Sequence, residues 1–299
     1  MRHYKKFRLY SILLILPSAL ALLVFIYGFI GFTGMASVIN WKKIKIDYTF
    51  VGLNNYIRLF QNERFIIDLQ NTFVFTVLFL VFTIGIGFLL AVALDRRVKG
   101  ESIFRNIYLF PMALSFIVTG VVWRWLLAPG TVGTGAMGVN LILENIGLGF
   151  LKNGWYTDPN IGIKAVVIAA TWQFSGYVMA LYLAGIRAIP VEIQEAARVD
   201  GASELDIYRF IIIPLLRPIT LSAVIILGHI SLKIFDLVVS MTGPGVGFST
   251  DVPAFFMFDT TFRGNQFSQG AAIAVVLLLM VALLVVPYLI NGTKSEVER

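Results

Sequence analysis

The 299-residue chain contains no cysteine and only two histidines, His3 and His229. Without cysteine it can form neither a disulfide nor a thiolate site for metal or redox chemistry. A zinc site or a Ser-His-Asp hydrolase would have to use His229, which lies in an apolar stretch. The sequence therefore argues against a thiolate site, a zinc site and a Ser-His-Asp hydrolase, and we expect no metal site in this chain.

Charged residues are also scarce, at 14% of the chain against about 25% in an average soluble domain. Apolar residues reach 58%, aromatic residues 14%, and the mean hydropathy is +0.83. Too little polar surface remains to cover a soluble core, which argues against a cytosolic enzyme, a nucleic-acid binder and a disordered protein. The composition instead indicates a protein whose solvent is mostly lipid, and aromatic residues suit its interfacial belts.

Six windows are long and apolar enough to cross a bilayer, which takes about 20 residues of helix. We therefore expect an all-α integral membrane protein with six transmembrane helices in one domain covering residues 1–299. The first window could also be a signal peptide, but its apolar run is longer than such a segment needs, so we favour a retained helix. The predicted spans are about 9–30, 72–94, 104–127, 161–186, 211–240 and 270–290.

The net charge of +7 is explained better by topology than by nucleic acid. Fourteen Lys and Arg residues fall in the N-terminal segment, the second-to-third and fourth-to-fifth connections and the C-terminal segment, against eight on the other side. Because cytoplasmic loops are enriched in Lys and Arg, both termini are predicted to be cytoplasmic. The first external loop, with five basic residues, is the exception to this pattern.

The connection at about residues 190–210 carries the most information. Pro190 suits the start of a helix, Glu192 and Glu195 suit its positive end, and Asp200-Gly201 is a turn signal in which glycine can take φ > 0. A second short amphipathic stretch follows before the next span. The pattern predicts two short helices at the membrane surface, and it leaves open whether they form an ordinary interfacial helix or an element that docks into a partner's groove.

This segment resembles the EAA loop of ABC-importer permease subunits. The matching residues are Glu195, Ala196, Ala197, Asp200, Gly201 and Ala202, followed by Tyr208, Ile211, Pro214 and Pro218. In that family the loop is the coupling helix, which sits in a groove of the cytoplasmic ATPase. The resemblance implies that these six residues of the loop contact an ATPase subunit.

The resemblance extends over about residues 50–290 and is closest to sugar-type permeases for maltose and glycerol phosphate. It includes the segment from Val51 to Tyr56, Phe110-Pro111, Trp123-Arg124-Trp125, Gly138-Val139-Asn140, Trp172-Gln173, the run from Ala184 to Pro190, Phe235-Asp236, the run from Met241 to Gly245 and Ser249-Thr250. An extra glycine is often present in this group where the chain has Gly243-Pro244-Gly245.

The resemblance implies a non-catalytic subunit, with no catalytic residue, that has a type I ABC importer permease fold and lies in the cell membrane. The implied partners are a second permease, two ATP-binding subunits, an external substrate-binding protein and a sugar. The chain lacks the phosphate-binding G-x-x-x-x-G-K-[ST] sequence, so no cofactor is expected in it, and ATP and Mg would be bound by the partner ATPase.

Several polar residues fall within the predicted spans, where such groups usually face the bundle interior or a wet cavity. Their spacing places His229, Lys233, Asp236 and Ser240 on one face of a continuous helix. His229 and Lys233 are candidates for the substrate pathway, as are Gln173 and Tyr177, although these four could equally form contacts between helices. For Arg124 and Asp236, placed at similar depth, we favour a structural ion pair.

The alternative function is a self-contained secondary transporter or channel for a small polar solute. Such a protein should show internal repeats, helices broken at mid-membrane and coupling carboxylates at that depth. The sequence shows no convincing repeat, and Asp236 is the only deep carboxylate within the predicted spans. The identity of the sugar and of the second permease stays open.

Overall fold

The computed structural model describes residues 13–43, 45–96, 99–130, 133 and 135–297, and the side chains of 289–297 lie outside that description. In these residues helices account for the regular structure, and the β structure is limited to an isolated bridge between Ile39 and Phe50. The prediction of an all-α fold is therefore confirmed. The start of the first predicted span, at residues 9–12, falls outside the described residues.

Four helices are long and apolar enough to span a membrane. They are α1 (Leu13–Ser37), α3 (Glu63–Asp95), α7 (Gly162–Arg187) and α13 (Phe267–Val297), with the short helix α2 (Asn54–Phe60) between the first two. Helix α3 begins nine residues before the predicted start of the second span, at Glu63 rather than residue 72. The remaining two predicted spans are bent helix pairs, which give up to six spans if each pair crosses once.

The third predicted span is broken near its middle. It consists of α4 (Glu101–Leu109), a 3-10 turn at Phe110–Ala113 and α5 (Phe116–Leu126), and the two parts meet at 100°. Leu114 and Ser115 are extended, and the Ser115 hydroxyl accepts a hydrogen bond from the Val118 N–H. Helix α5 therefore starts with its own N-cap, which satisfies a backbone donor that the break leaves free.

The fifth predicted span is broken twice. After α6 (Gly138–Asn145) and α8 (Val191–Val199), helix α9 (Glu204–Leu215) meets α10 (Arg217–Leu232) at 61°. Pro218 lies at the start of α10, where the missing N–H is tolerated. The chain leaves helical geometry again at Lys233–Phe235, and α11 (Asp236–Met241) follows. Helix α12 (Pro253–Phe258) precedes α13.

The chain divides into two compact units, residues 1–62 with 256–278, and residues 63–255 with 279–299. In the first unit, the Asn55 side-chain amide donates hydrogen bonds to the Ser37 and Ile39 carbonyls at 2.8 and 3.0 Å. The Trp41 ring stacks on Phe267 with centroids 4.8 Å apart. These contacts join the end of α1 to α2 and to the start of α13.

The second unit is organised around α3 and α7, which run parallel. Phe79 meets Phe174 edge to face at 5.8 Å, and Phe88 meets Tyr182 in the same way at 5.4 Å. Between these two ring contacts, a Cβ placed on Gly87 would lie only 2.6 Å from the Val178 side chain. The absence of a side chain at residue 87 therefore sets the close separation of the two helices, as small residues do in membrane helix pairs.

We predict that Gly87→Ala destabilises the second unit by about 1–3 kcal/mol, because the added methyl group overpacks the contact with Val178. Gly85→Ala is the matched control, since a Cβ there meets no atom within 4 Å and lies in the same helix. The measurement is the melting temperature of the purified protein in detergent. Equal melting temperatures for the two variants would contradict the close-packing account.

Candidate functional site

The segment between α7 and α10 adopts the two short helices that the sequence predicted. Helix α8 starts directly after Pro190, and Glu192 lies in its first turn. It ends in a hydrogen-bonded turn in which the Gly201 N–H donates to the Arg198 carbonyl and the Ala202 N–H to the Ala197 carbonyl, at 3.1 and 2.9 Å. This is the Schellman pattern, which requires a left-handed residue after the cap. Gly201 supplies it with φ = 85°, so the expectation of a positive φ at Gly201 is confirmed.

The second short helix, α9, has a cap that the sequence analysis missed. The Ser203 N–H donates to an Asp206 carboxylate oxygen at 3.1 Å, and the Asp206 N–H donates to the Ser203 hydroxyl at 3.3 Å. These reciprocal bonds form a capping box, and the S-x-x-D spacing is the signal that could have predicted it.

An ion pair connects the two short helices. The Arg198 Nε lies 2.8 Å from a Glu204 carboxylate oxygen, and this hydrogen bond raises the pKa of Arg198 above its ordinary value. The turn at Gly201 is thus held by backbone bonds on one side and by a charged pair on the other. The arrangement gives the exposed loop a defined shape without burial in a core.

The six residues of the predicted coupling loop lie on the surface. Glu195, Ala196, Asp200 and Gly201 are exposed, and Ala197 and Ala202 are half-buried. Two apolar side chains in the same segment, Val199 and Leu205, are 88% and 75% exposed. Small residues and exposed apolar side chains on an ordered loop form a surface that another macromolecule can cover.

Arg187, the last residue of α7, connects this loop to the rest of the second unit. Its guanidinium donates to both oxygens of Glu101 at 3.0 and 2.8 Å, and its Nε lies 3.8 Å from an Asp95 oxygen. The cluster joins the end of α3, the start of α4 and the end of α7. It borders a polar cavity of about 780 Å³ lined by Asp95, Glu101, Ile186, Arg187, Ile189, Val191, Gln194 and Arg198. These residues are far apart in sequence, so no local signal predicts the cluster.

The structure separates the polar residues that were expected to line one helical face. Because helix α10 ends at Leu232 and α11 starts at Asp236, His229 and Lys233 do not share a continuous helix with Asp236 and Ser240. The single-face prediction is therefore wrong. His229 is half-buried in α10, and Lys233 is exposed at its C-terminal end.

Gln173 and Tyr177 both lie in α7 but have different surroundings. The Gln173 side chain is 2% exposed, and its amide donates to the Leu114 carbonyl at 2.9 Å, so it braces the break between α4 and α5. For Gln173 the structure therefore shows a contact between helices, which was the alternative to a place in the substrate pathway. Tyr177 is half-buried.

Arg124 and Asp236 lie on helices that pack together, but they do not form the expected ion pair. A Cβ on Gly120 would lie 1.9 Å from the Ser240 hydroxyl oxygen and 3.1 Å from the Leu237 carbonyl oxygen, so α5 and α11 are in close contact. Both charged side chains are exposed, and no ion pair within 4 Å joins them among the described residues. The close approach of the two helices is made by a glycine rather than by opposite charges.

A buried ionic cluster was missed because its first members precede the predicted second span. Arg64 and Asp68 lie in the early turns of α3, and Asp251 follows α11 in the chain. The Arg64 Nε donates to an Asp251 oxygen at 2.6 Å, and Asp68 and Asp251 are fully buried. Helix α3 therefore carries a buried carboxylate, Asp68, in addition to the Asp236 that the sequence indicated.

Comparisons with known proteins establish the family. The model of the family described as binding-protein-dependent transport system inner membrane component matches residues 83–292. The chain belongs to this family, whose members are the non-catalytic permease subunits of ABC importers, and it is a multi-pass membrane protein. No group of three or more metal-ligating side chains occurs in the part of the chain that the structure describes.

Several relatives are similar over most of their length. A probable ABC transporter permease protein of Pyrococcus horikoshii is 42% identical over 287 residues, covering 96% of this chain and 97% of that protein. The xylose/arabinose import permease protein XacH of Haloferax volcanii is 36% identical, covering 88% and 82%. The trehalose/maltose transport system permease protein MalF of Thermococcus litoralis is 30% identical, covering 94% and 92%.

Two solved structures share the fold. A bacterial ABC transporter that imports alginate matches with a TM-score of 0.77 at 23% identity over 100% of both chains. The same kind of transporter, in complex with an alginate pentasaccharide-bound periplasmic protein, matches with a TM-score of 0.76 at 25% identity, covering 94% of this chain and 93% of that chain. The predicted type I ABC importer permease fold is confirmed.

We predict that reversing the charge of Arg187 lowers the melting temperature of the protein by a small, measurable amount, because the pair with Glu101 is partly exposed. Glu101→Arg should have a similar effect, and combining Arg187→Glu with Glu101→Arg should recover part of the loss. The melting temperatures of the three variants test this. Reversal of the exposed pair between Lys152 and Glu144 is the control and should change little. Additive losses in the double variant would contradict a direct pairing of Arg187 with Glu101.

Proposed function

We propose that the chain is one of two permease subunits of an ATP-driven, binding-protein-dependent sugar importer in the cell membrane. Two ATP-binding subunits would supply ATP hydrolysis with bound Mg, and an external binding protein would deliver the sugar. The observation that carries the proposal is the exposed, capped segment from Val191 to Leu215 in a chain of the importer permease family. The sugar class is supported by relatives named for xylose and arabinose, for trehalose and maltose, and by the alginate transporter.

The exposed segment suits a coupling role because it is short, ordered and mechanically connected. Only Ala188–Pro190 separates α7 from α8, and α9 continues through the 61° bend into α10. Arg198 and Glu204 pair across the Gly201 turn. If a partner moved α8, the movement would therefore be transmitted to both α7 and α10, because no long flexible loop separates them.

The surface of α8 supports an ATPase as the partner. Glu195, Ala196 and Ala197 place small side chains beside one acidic group, and such a face allows close approach of a groove. Asp200, Gly201 and Ala202 follow in the turn, where the exposed Val199 and Leu205 flank them. ATP-driven closure of the two ATPases would draw the two coupling loops together and switch the permease pair from inward-open to outward-open.

Tyr177, His229 and Lys233 are proposed to line the translocation path. The Tyr182 hydroxyl bonds to Thr220 at 2.8 Å, and Gly185 packs by Ile219, so α7 and α10 run antiparallel. At about 1.5 Å per residue this pairing places His229 about one helical turn from the level of Tyr177. Hydroxyl, imidazole and ammonium groups can hydrogen-bond to sugar hydroxyls. Gln173, held by the Leu114 carbonyl, serves instead as a brace.

The rival function, a self-contained transporter or channel, expects helices broken at mid-membrane, and the structure does contain broken helices. The breaks alone therefore do not separate the two functions. The family match and the exposed, ordered segment favour the importer subunit, and copurification of an ATPase separates the two directly.

The predicted topology, with both termini and Arg96 inside and Lys152 and Arg263 outside, can be measured directly. The chain has no cysteine, so each introduced cysteine is the only thiol in it. In intact cells, a membrane-impermeant maleimide should label Lys152→Cys and Arg263→Cys, whereas Arg96→Cys should react only after permeabilisation. Labelling of Arg96→Cys in intact cells would reject the proposed orientation.

The pathway proposal predicts that His229→Cys and Lys233→Cys react with a small water-soluble thiol reagent in the assembled importer. Sugar with its binding protein should slow the reaction, because substrate would occupy the same space. Leu221→Cys is the control, since this exposed, apolar α10 residue lies roughly 100° around the helix from both test positions and should face lipid. Inert thiols at both positions in every ATP state would contradict the pathway assignment.

The coupling assignment predicts that Gly201→Asp weakens ATPase retention and sugar uptake while leaving the permease inserted. A side chain at φ = 85° strains the turn by about 1–2 kcal/mol and projects from the surface that the ATPase would cover. Gly147→Asp is the matched control. Gly147 has φ = 79° and open space, and it closes the same type of turn after α6.

The three readouts are permease level, ATPase retained on purification and sugar uptake. Both variants should show similar permease levels because the local strain is similar. Only Gly201→Asp should lose ATPase and uptake. Equal behaviour of the two variants, or normal retention in Gly201→Asp, would argue against the coupling role.

A further inference from the structure

Two carboxyl groups face each other where the segment 243–252 meets the first turns of α3. The side chains of Asp68 and Asp251 are both fully buried. Arg64, Asp68 and Asn71 lie one helical turn apart on the same face of α3, and Arg64 and Asn71 both donate to Asp251, at 2.6 and 3.0 Å, so Asp68 lies on the face that contacts Asp251. Facing carboxylates in a buried site repel each other strongly, so such pairs usually retain a proton.

The hydrogen bonds of the two groups are unequal. Asp251 accepts from the Arg64 Nε at 2.6 Å through one oxygen and from the Val252 N–H at 2.9 Å through the other. Neither oxygen of Asp68 accepts a hydrogen bond from a donor among the described residues. An ionised carboxylate can only accept, whereas a protonated one can donate its O–H. The Asp251 carboxylate is therefore the acceptor, and Asp68 is the group that gains a bond on protonation.

The charges lead to the same conclusion. Arg64 and Asp251 are the charged groups that act on Asp68, and among described residues neither α7 nor α10, which also pack on α3, directs a charged side chain at it. With both carboxyl groups ionised, two negative charges would be buried in contact, while neither Asp68 oxygen accepts a hydrogen bond from a described residue, which is costly. One bound proton removes the repulsion between them.

We propose that Asp68 and Asp251 form a proton-binding site in which Asp68 is a neutral carboxylic acid that donates its O–H to the Asp251 carboxylate. The hydrogen bond holds the segment 243–252 against α3. The proton comes from water and returns to water, and no other group is consumed. The site lies apart from the coupling loop and does not depend on which solute is transported.

Other contacts show what the proton controls. The Asn71 amide donates to the Phe248 and Asp251 carbonyls at 2.8 and 3.0 Å, and the Arg64 guanidinium lies over the Phe248 ring at 4.8 Å. Every one of these partners of the segment is a side chain of α3. Loss of the proton would place two negative groups in contact in the middle of this interface between the segment 243–252 and α3. The segment should therefore pack less tightly on α3 as pH rises.

Infrared spectroscopy tests the protonation state directly. The purified protein at neutral pH should show the carbonyl stretch of a protonated carboxylic acid, which an ionised carboxylate lacks. The band should be lost in Asp68→Asn, an isosteric variant whose amide can still donate to Asp251. It should persist in Glu144→Gln, which removes an exposed carboxylate paired with Lys152. Absence of the band from the parent, or its persistence in Asp68→Asn, would overturn the proposal.

A spin label tests whether the segment 243–252 becomes more mobile when the proton is lost. This measurement does not depend on the infrared band. The label is attached to Val246→Cys, an exposed position within 243–252 and the only thiol in the chain. Its mobility should increase as pH is raised from neutral into the alkaline range, and this increase should be absent when Asp68→Asn is added. An equal increase in both proteins, or none in the parent, would overturn the proposal.

Discussion

The packing of α7 is the constraint on which the second unit depends. At residue 176 a Cβ would lie 1.8 Å from the Tyr108 carbonyl oxygen, so only glycine allows α7 to approach the backbone of α4 this closely. Gln173 braces the broken third span, and Tyr182 bonds to Thr220 of α10. In lipid, polar groups freed by helix breaks must find partners within the protein. At the break of the third span helix α7 supplies such a partner, because the Gln173 amide donates to the Leu114 carbonyl.

The same helix connects the membrane region to the exposed segment. It ends at Arg187, whose bonds to Glu101 and Asp95 fix the ends of three helices, and α8 begins four residues later. The exposed segment is thus attached to the most deeply buried of the four long apolar helices. A rigid attachment suits a part that transmits movement, because displacement of α8 is passed to the bundle rather than lost in a flexible linker.

The sequence predicted the parts of this structure that depend on local rules. Apolar windows located the membrane helices, and Asp200-Gly201 predicted the turn because φ > 0 is a local requirement. The breaks within the third and fifth spans were harder to predict, since Leu114 and Lys233 are not helix breakers and the Leu114 carbonyl is held by Gln173, 59 residues away in sequence. The pairing of Arg124 with Asp236 was inferred from depth alone, but depth does not determine where a side chain points. Asp68 was overlooked because α3 continues beyond its apolar window, and its buried partner is 183 residues away in sequence.

The central claim is that the segment from α8 to α9 docks a separate ATP-binding chain, and site-specific cross-linking tests it most directly. A photoactivatable side chain would be placed at residue 196 in the assembled complex, with residue 152 as the control on an exposed surface of another connection. We expect a cross-link from residue 196 to an ATP-binding subunit and none from residue 152. A cross-link from residue 196 to lipid alone, in a complex that retains its ATPase, would contradict the account.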